Sequence, residues 1–329
     1  MIACPVRFEL IDRSECLHRL EPEWRAFERR VPPATPFQTP EWLLTWWSHF
    51  GSGILRTFVF REDSRIVGIV PCFVHRWNCR RQVTLIGSGI SDFLDPPQDP
   101  SYSDVLVAAL RAELAAFDDW DLCDWQDLSE ATPLAALGES REDTSCSELA
   151  TGPHWDSFLE GRPRYLKRNL RRAFEAGNRM GGLRFAVDRD ADPDLLECLI
   201  EQHGARWRAA AGESGTIAAN RSEAFLREVA GRLAERDLLR IFSLRLDSQV
   251  VAVILGMRAE NTIFSYLTAF HPAYGKYGFG HHLLCRAIQY AHEQGCRWNF
   301  LRGEEQYKLD WGARRIPKRR VLIARPGVE

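Results

Sequence analysis

The spacing of apolar residues changes period repeatedly along the chain, and each change predicts an element. Val6–Leu10 reads as a short strand and Trp24–Arg30 as a helical stretch, followed by the loop PPATPFQ. Thr39 is placed to cap a helix that has Pro40 and Glu41 in its first turn and runs to about His49. Leu55–Arg61 and Ile66–His75 are rich in β-branched and aromatic residues and flank an Asp63–Ser64 turn, which predicts a β-hairpin. Gln82–Ile86 predicts a further strand, and the loop GSGISDFLDPPQDP leads from it to a helix over Ser103–Phe117 and a strand over Trp120–Trp125. Residues 127–150 are polar and mixed, so the expected domains are 1–150 and 151–329.

The second half opens with a long basic helix, Trp155–Ala176, and a strand, Leu183–Val187. Helices over Pro193–Ala210 and Glu223–Arg236 precede a three-stranded meander, Leu239–Leu246, Val250–Arg258 and Thr262–Ala269. After HPAYGKYGFG come a helix, His281–Glu293, a strand, Arg297–Leu301, and a closing segment containing RRVLIA. LRTFVFREDSRIVGI from Leu55 aligns without gaps to LRIFSLRLDSQVVAV from Leu239, with seven identities in fifteen positions. Each copy continues through a strand, a glycine-containing loop, a helix and a strand. The chain therefore reads as one fold repeated at an offset of 184 residues.

Composition adds mainly exclusions. A chain that is 45% hydrophobic and 27% charged can bury a core, and a net charge of -2 gives no global pull towards nucleic acid or an anionic membrane. No segment approaches the roughly 20 apolar residues that span a bilayer, and the first residues reach an acid at Glu9, so the expected location is the cytoplasm. The nine cysteines are scattered without a CxxC pair, which points away from a zinc or disulfide framework; no metal is expected.

Two stretches carry candidate chemistry. In YGKYGFGHHLL, Gly275, Gly278 and Gly280 precede an apolar-periodic helix, so the free amides of its first turn could receive a pyrophosphate, with Lys276 and His281 beside them. A turn that merely starts a helix fits the glycines equally well. FLRGEEQYKLDWG, just after a strand, packs Arg302, Glu304, Glu305, Tyr307, Lys308 and Asp310 together, and a carboxylate here could take a proton from an attacking amine or hydroxyl. Lys308 could neutralise an anionic group or a developing oxyanion, and Arg302 and Tyr307 could contact substrate. A salt-bridged loop closed by Tyr307 and Trp311 is the plainer reading. His203, Arg206 and Trp207 share one helix face and could line a cleft, and His271 at a strand exit is a candidate base. The helix RPRYLKRNLRRAFEAGNR sets arginines around an inward apolar stripe, and those arginines could meet phosphate, an acidic polymer, a membrane or only solvent.

The meander, glycine loop, helix and strand resemble the GCN5-related N-acetyltransferase (GNAT) fold. More closely, RYLKRNLRR, HGARW, YLTAFHPAYGKYGFGHHLL and NFLRGEEQYKLDWG resemble the BioF2-like, or CelD-like, acetyltransferase domain, and the tandem arrangement resembles the Fem aminoacyltransferases. This implies two mixed α/β domains with splayed central sheets, the N-terminal one structural or acceptor-binding and the C-terminal one catalytic. It implies a coenzyme A thioester such as acetyl-CoA as co-substrate, with no permanently bound cofactor, and Gly278 and Gly280 at the pyrophosphate. Tyr307-Lys308 matches the family's aromatic-lysine pair. His271 and Asn299 stand where relatives often carry aspartate, which shifts the expected acid-base group to Glu304 and His271.

The function implied is acyl transfer to an amine or hydroxyl, on a small molecule, sugar or envelope polysaccharide precursor, with peripheral association at the inner membrane face. The alternatives are a Fem-like transferase using aminoacyl-tRNA, which alone would bring in nucleic acid, and a non-catalytic scaffold.

Overall fold

The computed structural model describes residues 6–211, 220–325 and 327, with side chains described outside 203–220. The chain forms two compact units, one of Met1–Ser145 with Pro317–Glu329 and one of Cys146–Ile316.

The first unit contains β1 (Arg7–Ile11), α1 (Ser14–Arg19), α2 (Glu21–Glu28), α3 (Pro40–Phe50), β2 (Ile54–Leu55), β3 (Thr57–Glu62), β4 (Arg65–Val70), β5 (Cys72–Trp77), β6 (Arg80–Leu85), α4 (Ser103–Ala116) and β7 (Leu122–Ser129). Thr39 does cap α3: its hydroxyl accepts the Trp42 amide at 3.3 Å, and Trp42, Leu43, Leu44, Trp46 and Trp47 are buried. The expected strand Ile66–His75 is instead two strands, because Pro71 has no N–H to continue a ladder. β4 pairs with β3 in a small sheet ordered β1-β3-β4, while β5 pairs with β6 in another. β6 runs parallel to β7 through only Gln82–Leu122 and Val83–Cys123, and β7 pairs with the strand Arg314–Ala324. Beyond that short parallel pairing the gap is filled from within. The Leu94 amide donates to the Asp127 carbonyl of β7 at 3.0 Å, and Leu94 is buried with Val83, Leu85, Trp125 and Leu128.

The second unit contains the last four residues of β8 (Glu139–Leu149), then α5 (Trp155–Glu160), α6 (Arg164–Arg179), β9 (Leu183–Asp188), α7 (Pro193–Ala211), α8 (Asn220–Ala234), β10 (Leu239–Leu246), β11 (Gln249–Ala259), β12 (Thr262–Phe270), α9 (Phe279–Glu293), β13 (Arg297–Arg302) and α10 (Gln306–Asp310). Its strands lie in the order β8-β13-β12-β11-β10-β9. The long basic helix expected over Trp155–Ala176 is broken at Gly161–Pro163 into α5 and α6. The stretch 127–150, expected to be a boundary, holds the end of β7 and all of β8. α9 and α6 cover one face of the sheet, burying Leu166, Leu170, Leu283, Ile288, Phe242 and Trp298 in one core.

The repeat is visible as structure. β6, α4 and a parallel β7 follow the first hairpin as β12, α9 and a parallel β13 follow the second, with β4 and β5 together occupying the place of the unbroken β11. The fold is a tandem mixed α/β fold.

Candidate active site

Two bulges and a helix start shape a cavity of about 590 Å³ in the second unit. β12 and β13 are parallel and paired only at Thr262–Arg297, Ile263–Trp298 and Phe264–Asn299, after which they part. On β12 the register against β11 jumps from Ser265–Gly256 to Leu267–Leu255, so Tyr266 is the extra residue of a bulge. On β13, Leu301 is held in the left-handed region at φ 60, with its amide donating to the buried Asn299 side chain at 2.9 Å. A leucine there is strained, and the turn swings Arg302 out of register with β8. A bulge bends the strand that carries it, and both bulges fall just past the last pair of β12 with β13. The β12–β13 ladder has no pair beyond Phe264–Asn299, and Ser265, Leu267 and Thr268 of β12 line one wall of the cavity.

The N-terminus of α9 closes one end. Gly278 caps it at φ 75, a conformation that costs glycine nothing and other residues a good deal. The amides of His281 and His282 return to the Gly278 carbonyl at 3.0 and 3.2 Å, which leaves those of Phe279 and Gly280 for a ligand. A Cβ at Gly280 would meet only the Phe270 ring, at 3.4 Å, so the protein's own packing barely requires glycine there. What glycine does provide is open access to the positive end of a 15-residue helix.

The other end is built by Lys308. Its side chain is 2% exposed, and its ammonium donates to the carbonyls of Leu301 (3.3 Å), Arg302 (2.7 Å) and Gly303 (3.1 Å) while pairing with Glu305 at 2.9 Å. An ammonium has three N–H groups, and these contacts occupy them. Lys308 therefore fixes the wall where β13 ends, and does not project a free charge towards a substrate anion as the sequence reading allowed.

The site residues expected from sequence divide as follows. Gly275, Gly278, Gly280, His281, Arg302, Tyr307 and Lys308 all lie on this one cavity, although the two motifs are more than twenty residues apart. Glu304 does not: it is exposed and pairs with Arg315 at 3.4 Å. His271 faces a separate recess with Cys198, Glu201 and Gln249, and its Nδ1 accepts the Ala273 amide at 3.3 Å. Lys276 holds its ammonium over the Tyr277 ring, 5.0 Å from the centroid, off the cavity wall. His203, Arg206 and Trp207 belong to α7, and their side chains lie outside the described residues. Among the described residues, no group of three or more His, Cys, Asp or Glu could hold a metal.

Sequence reasoning placed Glu305 in the candidate stretch but preferred Glu304, and Glu305 is the carboxylate that lines the cavity. Burial would raise its pKa, but the hydrogen bond from Lys308 and that residue's charge outweigh burial and hold it below the ordinary carboxylate value. Its i,i+3 spacing to Lys308 was the available signal.

His282, next to the cavity histidine, is a different kind of group. It is buried against Phe174, with ring centroids 3.7 Å apart, and burial followed by the charge of Arg286 lowers its pKa from 6.5 to about 4. Between those values the unfolded chain takes up a proton that the native state refuses, so stability falls as pH drops through that window. Urea titrations at pH 7 and pH ~4.5 should show a loss of about 2–3 kcal/mol that shrinks in His282→Gln. An equal loss in the variant would assign the effect to other groups.

The second unit thus has a sheet opened between two parallel strands, with a helix N-terminus at the opening. Residues 164–309 match the family model described as the Acetyltransferase (GNAT) domain. Solved structures extend the likeness over the whole chain. FemX is similar at 13% identity and a TM-score of 0.65, over 95% of this chain and 96% of its own. A conserved protein of unknown function from Bacteroides thetaiotaomicron VPI-5482 gives 15% and 0.63, over 97% and 100%. L-PGS from Bacillus licheniformis gives 15% and 0.55, over 89% and 93%. No curated protein matches the chain in sequence.

Proposed function

We propose that the second unit transfers an acyl group from a coenzyme A thioester to an amine or hydroxyl. The observation that carries this reading is one cavity that runs from β12, where its pairing with β13 ends, to the N-terminus of α9. An extended ligand with amides along its length can pair with a free strand edge, and its anionic end suits the amides of Phe279 and Gly280. The pantetheine arm and pyrophosphate of coenzyme A have that form. The Tyr307-Lys308 pair and glycine loop support the narrower likeness to BioF2-like domains.

Transfer is direct. The acceptor nitrogen or oxygen attacks the thioester carbonyl, the carbonyl electrons move to oxygen and are stabilised by β12 amides, and their return expels the thiolate. Glu305, kept ionised by Lys308, accepts the proton that the acceptor loses, and that proton passes on to the departing thiolate, which leaves as the thiol with Glu305 again ionised. The acceptors that suit this reading are sugar amines or hydroxyls of an envelope polysaccharide or its precursor, met in the cytoplasm.

Isothermal titration with acetyl-CoA tests the donor site. The wild-type protein should bind saturably, and Gly280→Trp, which fills the mouth of the helix N-terminus, should lose binding while keeping its unfolding transition. If folded wild-type protein binds neither acetyl-CoA nor free coenzyme A, the acyl-CoA reading fails, and an aminoacyl-tRNA donor or a scaffold role takes its place.

A further inference from the structure

α6 carries a charge that the fold does not use. Its buried side is Leu166, Leu170, Ala173, Ala176 and Gly177, packed towards α9 and the glycine turn. Arg164, Arg168, Arg171, Arg172 and Arg179 lie on the opposite side, all exposed. None of these five has a hydrogen bond, ion pair or ring contact among the described residues, and Glu175 is the one acid on that face. Elsewhere in the same unit, arginines are used: Arg227 holds Glu197 and Glu223, Arg240 holds Asp237, and Arg162 donates to the Trp311 carbonyl. Even Lys167, within α6, is taken by Glu160 at 2.9 Å. The protein as a whole has a net charge of -2, so five free guanidinium groups on one helix face are a local concentration of charge. Over 16 residues that face is about 24 Å long.

Beside its N-terminal end are two exposed apolar side chains. Tyr165 is 44% exposed and its hydroxyl donates to the Asp310 carboxylate, which ties α6 to α10; Leu309, the neighbour of Asp310, is 52% exposed. The apolar stripe of α6 is already spent on the core, so the side left to a partner is the arginine face, with Tyr165 on the same helix and Leu309 next to Tyr165's partner Asp310.

We propose that this face docks the protein on an anionic phospholipid surface. Guanidinium groups match the phosphate geometry of lipid headgroups, and basic residues at such a surface each contribute attraction. Tyr165 and Leu309 supply the second, apolar signal that electrostatics alone lacks. Leu309 decides between lipid and a nucleic acid, since an exposed leucine gains nothing from a phosphate backbone but does gain at the boundary of headgroups and acyl chains. Docking would bring the mouth formed by α10 and the glycine turn close to acceptors carried on lipid. The proposal stands apart from the acyl-transfer reading, because it concerns a surface outside the cavity.

Flotation of the full chain with vesicles tests it. The protein should float with phosphatidylcholine containing about 30% phosphatidylglycerol and not with phosphatidylcholine alone, and raised salt should weaken the association. Each arginine is worth about fivefold, so Arg168→Gln/Arg171→Gln/Arg172→Gln should lose on the order of 100-fold in partitioning. The corresponding triple lysine variant should retain most of it, and Leu309→Ser should lower the part that resists salt. Circular dichroism of the variants should match wild type, because all four positions are exposed. Equal flotation with neutral vesicles, or unchanged binding by the triple glutamine variant, would overturn the proposal. Displacement from vesicles by RNA at matched phosphate concentration would reassign the face to nucleic acid.

Discussion

Lys308→Met should destabilise the second unit by about 3 kcal/mol, the largest loss expected from any single change at the cavity. Methionine keeps the length of the apolar stem, so packing is largely retained. What is lost is the ammonium that holds the carbonyls of Leu301, Arg302 and Gly303 together at the end of β13. Those carbonyls then face one another with no donor between them. Little of the loss comes from Glu305, whose side chain is 57% exposed and can return to water. The expected signature is a lower urea midpoint with an unchanged slope. Acetyl-CoA affinity should weaken as well, because the wall carrying Tyr307 loses its anchor. A stability change below about 1 kcal/mol would mean that the carbonyl cluster is satisfied in some other way.

Glu305→Gln should behave in the opposite manner, folding well and reacting poorly. Glutamine can still accept from Lys308, so stability and acetyl-CoA affinity should remain near wild type. The proton acceptor is gone, and kcat should fall about 100-fold or more with any acceptor that wild type turns over. The pH profile separates this role from mere positioning. Lys308 holds the Glu305 carboxyl below the ordinary carboxylate value, so the base is already ionised above that value. The wild-type acid limb should lie correspondingly low, and Glu305→Gln should lack that limb. Wild-type kcat in the variant would remove Glu305 from the reaction.

Much of this architecture was legible in the sequence, for identifiable reasons. Period-two apolar runs located β10, β11 and β12 to within a residue or two at most ends, and Thr39 with Pro40 marked the start of α3. The repeat at Leu55 and Leu239 was readable because its turn and strands kept their spacing. The break at Pro71 was missed because a proline between two apolar runs looks, from composition, like part of one strand. β8 was missed because ESREDTSCSEL is polar over most of its length and reads as a linker. At the site, the glycine turn and the Lys308 segment were found, and the fold brings them onto one cavity. Their roles were less visible. Glu304 and Glu305 are adjacent and chemically alike, and only the bend at Leu301–Gly303 decides which of them faces inward. Whether a lysine is available or spent depends on carbonyls five to seven residues upstream, which carry no side-chain signature.

The first unit puts the same seam to a different use. Where β12 and β13 part around an empty slot, the corresponding gap beside β7 is occupied by the chain's own loop, with the Leu94 amide bonded to Asp127 and its side chain in the core. That loop is tethered, so it returns to the gap in an intramolecular step that a diffusing molecule would have to outcompete. One copy of the fold thus fills its seam with its own sequence, and the other keeps a cavity lined by Gly280 and Lys308.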